Sequence, residues 1–279
     1  ARRMDELAQS YGIELLHDIS HELVRRSEEM TIAALKEIPN GTYHYVDYLD
    51  NDGVELDKRV RIEVTTTIQD GTMHLDFTGT DPQLKGPFNC VPSGVRAAAY
   101  FALKVLTDQS IPTNAGCFRP ISFYLPEGSL VNPKEPAPVC SRTATIKRIT
   151  GMILAAFKEV LPEKVPADSA GVLLALAFGG RLPDGEQYVT GELIAGGSGA
   201  GYIADGADVV DTDASNCMNL PAEAMEMEAP IRVHRVSLRT DSGGAGPYRG
   251  GLGLIKEFEL LGDTSVFTNR GERPYSAAQ

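Results

Sequence analysis

Between Thr240 and Gly253 the chain reads TDSGGAGPYRGGLG, with six glycines, and a second stretch, GGSGAG, occupies positions 196–201. Glycine inside a helix or strand costs roughly 0.5–1 kcal/mol relative to alanine, so a folded chain keeps it where φ must be positive or another group must come close. These stretches therefore mark two irregular loops and confine the regular elements to the intervals around them. A phosphate cradle is one reading, because glycine amides at a helix start can surround an anion. Neither stretch ends in the Lys-Ser/Thr pair of such loops, and neither stands in the order strand, GxGxxG, helix, acidic residue. Turns packed against another segment or a substrate fit the pattern better.

The intervals mix helix and strand. Apolar residues at Leu7, Ile13, Leu15, Leu16, Ile19, Leu23, Ile32 and Leu35 follow helical spacing over 2–38, with Gly12 dividing two segments. Pro39-Asn40-Gly41 ends that run. TYHYVDYLDNDG alternates aromatic and polar residues. DKRVRIEVTTTIQDGTMHLDF then gives two strands joined at Asp70-Gly71, a pair suited to the positive φ of a primed hairpin turn. A polar connector leads to a helix in SGVRAAAYFALKVLT, and TNAGCFRPISFYLPEGSLVNP reads as loop, short strand and loop. RTATIKRITGMILAAFKEVL predicts a helix that buries Ile146, Ile149, Ile153, Leu154 and Phe157. VLLALAFGG and QYVTGELIAGGSGAG are apolar runs bounded by glycine, and IRVHRVSLRT and LIKEFELLGDTSVFTNR are strand-like. There is no fixed-period repeat. The expected fold is mixed α/β (α+β), with a helical segment and a β-hairpin region over 1–80 and a larger α+β body with Gly-rich loops over 81–279.

Composition closes off several function classes. A chain of 279 residues, 42% hydrophobic and 23% charged, can bury a core and is not a disordered one. Its net charge of −12, with no basic stripe, argues against nucleic-acid binding. No run of about 18 apolar residues offers a membrane-spanning helix, and ARRMDELAQSYG lacks the apolar core of a signal peptide. Cys90, Cys117, Cys140 and Cys217 form no CxxC pair. They fit a reduced, cytoplasmic protein, while their even number leaves disulfides open. The chain opens directly in helical sequence and closes on SAAQ, which reads as a piece of something longer.

Four constellations could carry chemistry. His17 and His21, with Asp18 between them, have the i, i+4 spacing of zinc helices. They also lie on an ordinary amphipathic helix rich in Glu and Arg, where a solvated or partner-facing pair serves as well. His44, His74 and His234 stand singly, and Asp50, Asp52 and Glu55 form a turn without EF-hand spacing. No complete metal site is read. Cys117 and Cys140 stand near Arg119 and Arg142, and a nearby cation activates a thiolate. A plain buried cysteine is the other reading. No GxSxG nucleophile elbow occurs. The polar loops GPFN (86–89), TNAGCFRP (113–120), SRTAT (141–145) and SNCMNLP (215–221) suit recognition of a polar substrate, or serve equally as turns and caps.

Taken together, DFTGTDPQLKGPFN, IPTNAGCFRPISFYLPEGSLVNP and RTDSGGAGPYRGGLG, with PEKVPA and the FGG turn at 178–180, resemble the B component of the hydantoinase B/oxoprolinase family. The resemblance covers almost the whole chain, and the pairing of NAGCFRPI with DSGGAGPYRGG makes it specific. It implies one component of an ATP-dependent amidohydrolase acting on cyclic amides of the N-methylhydantoin or 5-oxoproline type. A hydantoinase A-like partner subunit or domain would carry ATP-Mg and phosphorylate the amide oxygen, giving a poor electrophile a leaving group. The B component would handle that intermediate around a divalent metal, whose bound water attacks at neutral pH. Relatives that carboxylate acetone or acetophenone supply the alternative of a carboxylase component, and a catalytically incomplete assembly scaffold is a third. The family's metal ligands come from motifs of the kind NDPYxGGTH and RAHHxDxGG, absent here. The resemblance therefore places the ligands outside this chain and implies a C-terminal portion inactive by itself. It also implies a homo- or hetero-oligomer and a small polar substrate, with Asn89, Asn114, Cys117, Arg119, Arg142 and Thr143 facing the substrate channel. With ATP on the partner, TDSGGAGPYRGGLG reads as a compact loop that lets backbones approach, with Arg249 available to a carboxylate or a neighbouring chain.

Overall fold

The structure is a computed structural model that describes residues 2–171, 173–182, 184–262 and 264–271. The terminal SAAQ, and Val172 and Asp263 of the strand-like runs, lie outside the described residues. Two helices, α1 (Arg2–Tyr11) and α2 (Ile13–Lys36), open the chain. They break at Gly12, whose φ is +79°. The helical spacing holds, but its apolar face is not a buried one: Ile13 is 65% and Leu23 52% exposed. Within α2 the buried residues are Ser27, Thr31 and Leu35. The reason is positional, since the body meets α2 along its C-terminal half, at α4 (Ala115–Phe118) and the hairpin turn.

The first sheet has the order β1-β2-β3-β4, formed by β1 (Gly41–Leu49), β2 (Val60–Gln69), β3 (Thr72–Asp76) and β4 (Ile121–Tyr124). Its first two pairings are antiparallel and the last is parallel. Asp70 and Gly71 join β2 to β3 with φ of +48° and +85°, as the Asp-Gly signal requires. Every second residue of β2 from Val60 to Ile68 is buried. Helices α3 (Pro92–Leu106) and α5 (Arg142–Ala156) pack on each other, and α5 also lies on β1 and β2. Ile149, Ile153, Leu154 and Phe157 are buried as expected, with Ile146 packed at the margin of this core. The segment read as plain loop before β4 contains α4, capped by Asn114, whose side chain accepts from Gly116 N at 2.9 Å.

A second, smaller core gathers Leu176, Phe178, Tyr188, Ile194, Met225 and Ile231. Around it lies an antiparallel sheet of order β6-β5-β9, from β5 (Leu173–Arg181), β6 (Gln187–Ala195) and β9 (Ser265–Arg270). A two-stranded ribbon of β7 (Ile231–Leu238) and β8 (Leu254–Leu260) and the short α6 (Ala222–Glu228), which shows no sequence periodicity, complete it. Polar contacts join α5 to the second part: Lys147 contacts residues 211–213, and Arg270 of β9 donates to Ser141 Oγ, just before α5, at 2.9 Å. Among the described residues no helix is long and apolar enough to cross a membrane.

Candidate functional site

The two glycine stretches meet. GGSGAG follows β6 directly, and TDSGGAGPYRGGLG lies in the connection between β7 and β8. Ser198 N donates to Ala207 O at 3.0 Å, Gly251 N to Ser198 O at 2.9 Å and Val210 N to Gly196 O at 2.9 Å. On the other side, Ala167 N donates to Ala200 O at 2.9 Å and Ala170 N to Gly197 O at 3.0 Å. Backbone is thus layered on backbone. A Cβ at Gly199 would overlap the Ala167 carbonyl oxygen, and one at Gly251 the Ala207 carbonyl oxygen, so these glycines answer close approach. Asp208 fastens the layer, accepting from Leu252 N at 2.7 Å and from Arg249 Nη1 at 3.3 Å. The carboxylate that meets Arg249 therefore belongs to the same chain.

Between the stretches lies a cavity of about 1020 Å³, at the upper end of the range for ligand sites. Glycine backbone forms much of its wall, with Asp168, Ser169, Ser198, Tyr202, Arg239, Ser242 and Tyr248 as polar side chains. Beneath Ser169 lies a buried charge cluster. Lys147 Nζ, with its side chain 2% exposed, is 2.8 Å from Asp211 Oδ1 and 3.9 Å from Asp213 Oδ2, and donates to Thr212 O. Asp211 also accepts from Ser215 Oγ at 2.6 Å and Cys217 N at 2.7 Å. Burial pushes its carboxyl up, but these hydrogen bonds and Lys147 outweigh burial and leave it below the usual aspartate range. Asp213 accepts from Ser169 Oγ at 2.9 Å and Thr212 Oγ1 at 3.1 Å. There burial wins, aided by the nearby Asp168, and the carboxyl sits above its usual range despite Lys147 and the two hydroxyls.

Sequence reasoning placed its site residues elsewhere, and none of them lines this cavity. Asn114, Cys117 and Arg119 come together at α4 against α2. Asn114 donates to Ser27 Oγ at 2.8 Å, Cys117 is buried, and Arg119 pairs with Glu28 at 2.9 Å. Asn89 is buried, its amide bonded to Leu84, Gly86 and Pro138. Arg142 and Thr143 open α5, where Arg142 donates to Val139 O at 3.4 Å. Exposed Cys140 stands near Arg270. His17 and His21 are exposed on α2, and among the described residues no group of three or more His, Cys, Asp or Glu is arranged to hold a metal. His44, His74 and His234 bond to Glu63, Ser122 and Glu259. Asp52 forms the expected turn, its carboxylate accepting from Val54 N and Glu55 N. The buried Lys147 cluster went unread, although four aspartates in DGADVVDTD within a glycine-rich setting were a usable signal.

Comparison with known proteins assigns the chain. The profile of the hydantoinase B/oxoprolinase family matches residues 1–278. A relative from Pseudomonas sp. (strain NS671), named as the B component of a D-/L-hydantoinase, is 36% identical over 99% of this chain and 48% of its own length. The ATP-dependent caprolactamase from Pseudomonas jessenii has a TM-score of 0.80 at 27% identity, over 93% of this chain and 46% of that one. Nucleotide-free acetone carboxylase, at 22% identity over 96% of this chain and 38% of its own, shares the fold with a TM-score of 0.83. The chain thus spans about half the length of these relatives, or less. On this match over nearly its whole length, the chain belongs to the hydantoinase B/oxoprolinase family.

Proposed function

We propose that this chain is the part of an ATP-dependent, cyclic-amide-hydrolysing enzyme that encloses the activated amide, and that its cavity between the glycine stretches is where the amide sits. An A-type partner carrying ATP-Mg would supply the activated, O-phosphorylated form. The observation that carries this reading is the juxtaposition of a ligand-sized, glycine-walled cavity with a buried Lys–Asp cluster. The family membership and the relatives named for hydantoinase and ATP-dependent caprolactamase support it. A divalent metal is also implied by the resemblance. The described donors of this chain do not assemble a site for it, and in this reading it lies on portions outside the chain. The test is co-expression of the full-length subunit that contains this chain with an A-type partner, followed by ring-opening assays on N-methylhydantoin, 5-oxoproline and caprolactam with and without ATP. ATP-dependent opening is expected for at least one of them. Consumption of ATP only with bicarbonate and a ketone would replace this reading with a carboxylase.

A further inference from the structure

We infer that Ser169 is a catalytic hydroxyl of the glycine-walled cavity, and that it passes a proton between the cavity and the half-buried Asp213 carboxylate. This rests on the reading that the cavity holds the activated amide. Ser169 is 6% exposed and lines the cavity. Its Oγ donates to Asp213 Oδ2 at 2.9 Å and accepts from Gly171 N at 3.0 Å. A hydroxyl has two acceptor lone pairs, so one remains for a group in the cavity.

The carboxylate behind it is held with unusual effort. Asp213 has φ of +63° and Val209 of +45°, and a β-branched residue in the left-handed region is strained. The strained segment is tied to the glycine stretches themselves, through Val209 N to Leu252 O at 3.0 Å and Val210 N to Gly196 O at 2.9 Å. The groups facing Asp213 are Lys147 from α5, Asp211 and Thr212 from its own segment, and Asp168 and Ser169 from the segment before β5. One ammonium therefore serves three carboxylates, of which Asp211 takes the close ion pair and two further hydrogen bonds. Asp213 is left as the carboxylate whose proton can come and go. Its upward displacement by burial makes it a stronger proton acceptor than an ordinary aspartate.

In the balanced step, a water in the cavity attacks the activated ring carbon, and its oxygen forms the new C–O bond. The C=N electron pair moves onto the ring nitrogen. The water proton passes to Ser169 Oγ as the Ser169 proton passes to Asp213 Oδ2, leaving Ser169 unchanged and Asp213 neutral. The proton then returns by the same route to the ring nitrogen. The new C–OH gives its own proton to that nitrogen as C=O re-forms and the C–N bond breaks. The resulting acyl phosphate is hydrolysed by a second water to carboxylate and inorganic phosphate.

The test uses the complex with the ATP-binding partner, with whichever of the three cyclic amides above it opens. Ser169→Ala is expected to lower kcat about 100-fold while KM moves less than about twofold, and Asp213→Asn to abolish the acid limb of the kcat–pH profile. Wild-type kcat and an unchanged profile in Ser169→Ala would overturn the proposal. Because Asp213→Asn removes a charge facing Lys147, a second readout uses the native chain: carboxyl ¹³C NMR. The Asp213 resonance should titrate above ordinary aspartates and shift in Ser169→Ala. An Asp213 that titrates in the ordinary range sinks the inference whatever the assay gives. A complex that opens no cyclic amide sinks the functional reading, and the NMR result then decides the proton path separately.

Discussion

At Asn89 the side-chain oxygen accepts from Leu84 N at 2.8 Å, and the amide nitrogen donates to Leu84 O at 3.0 Å, Gly86 O at 3.2 Å and Pro138 O at 3.0 Å. One buried side chain thus ties two loops together. Asn89→Ala would leave buried backbone groups without partners, so a loss of roughly 2–3 kcal/mol is expected, read as a lowered urea midpoint with an unchanged slope. Arg119 differs: its pair with Glu28 is 54% and 32% exposed, and Arg119→Ala should cost less than about 1 kcal/mol in the same experiment. The cysteines separate on the same principle. Burial pushes the Cys90 thiol up to about 12, Arg142 drawing it only slightly back, and Cys117 is buried, whereas Cys140 is exposed. A maleimide at neutral pH should therefore modify Cys140 first, and Cys90 and Cys117 only on unfolding, as peptide mapping would report. None of these roles is legible from residue type. An Asn in a Gly/Pro-rich loop can clamp backbone or meet a ligand, and only its neighbours decide which.

The glycine stretches behave as one element, although more than thirty residues separate them in the chain. Gly199→Ala would drive a methyl into the Ala167 carbonyl, so about 1–3 kcal/mol of destabilisation is expected, with a shift in the cavity wall. Gly244 has nothing within 4 Å of an added Cβ, and Gly244→Ala should stay within about 0.5 kcal/mol. Calorimetric melts of the two variants compare close packing with mere loop composition, and equal effects would defeat the layered-backbone account. Elements with long, regular signals were legible from sequence: the α1–α2 break at Gly12, the Asp70-Gly71 hairpin, and the buried face of α5. The short α4 and α6 were not, because four and seven residues are too few to show a period. The α2 spacing was legible and its exposure was not, since a sequence period says which side is apolar and not what covers it. Lys147 was invisible for a related reason. Helix α5 is buried on almost every side, Thr145, Lys147, Arg148 and Thr150 included, so its charged positions do not mark a solvent face.

At the scale of the whole molecule, these charges set how stability responds to acid, and the signs oppose one another. Asp52, Glu63 and Asp211 are all pushed up by burial, but hydrogen bonds and cations outweigh it and hold them below their ordinary values. The donors are backbone N–H groups for Asp52, His44 and Arg61 for Glu63, and Lys147, Ser215 and Cys217 N for Asp211. A group lowered in the fold contributes stability that is present above its unfolded pKa, about 4, and lost as pH falls through the folded value. Asp213 runs the other way. Raised by burial, it prefers its proton in the fold, so its ionisation lowers stability as pH climbs from about 4 through its folded value. Lowering pH from 7 also relieves part of the net charge of −12. The melting temperature should therefore hold or rise as pH falls from 7 toward about 4, then fall below about pH 4 as Asp52, Glu63, Asp211 and the other lowered carboxylates are forced to protonate. Asp213→Asn separates the contributions, because it removes the raised carboxyl and leaves the lowered ones. Its melting temperature should lose whatever rise Asp213 contributes on acidification above about pH 4 and keep the fall below about 4. If the variant keeps the full rise, general charge repulsion accounts for it. If it loses the rise, the carboxylate behind Ser169 takes up its proton above the ordinary aspartate range, as burial requires.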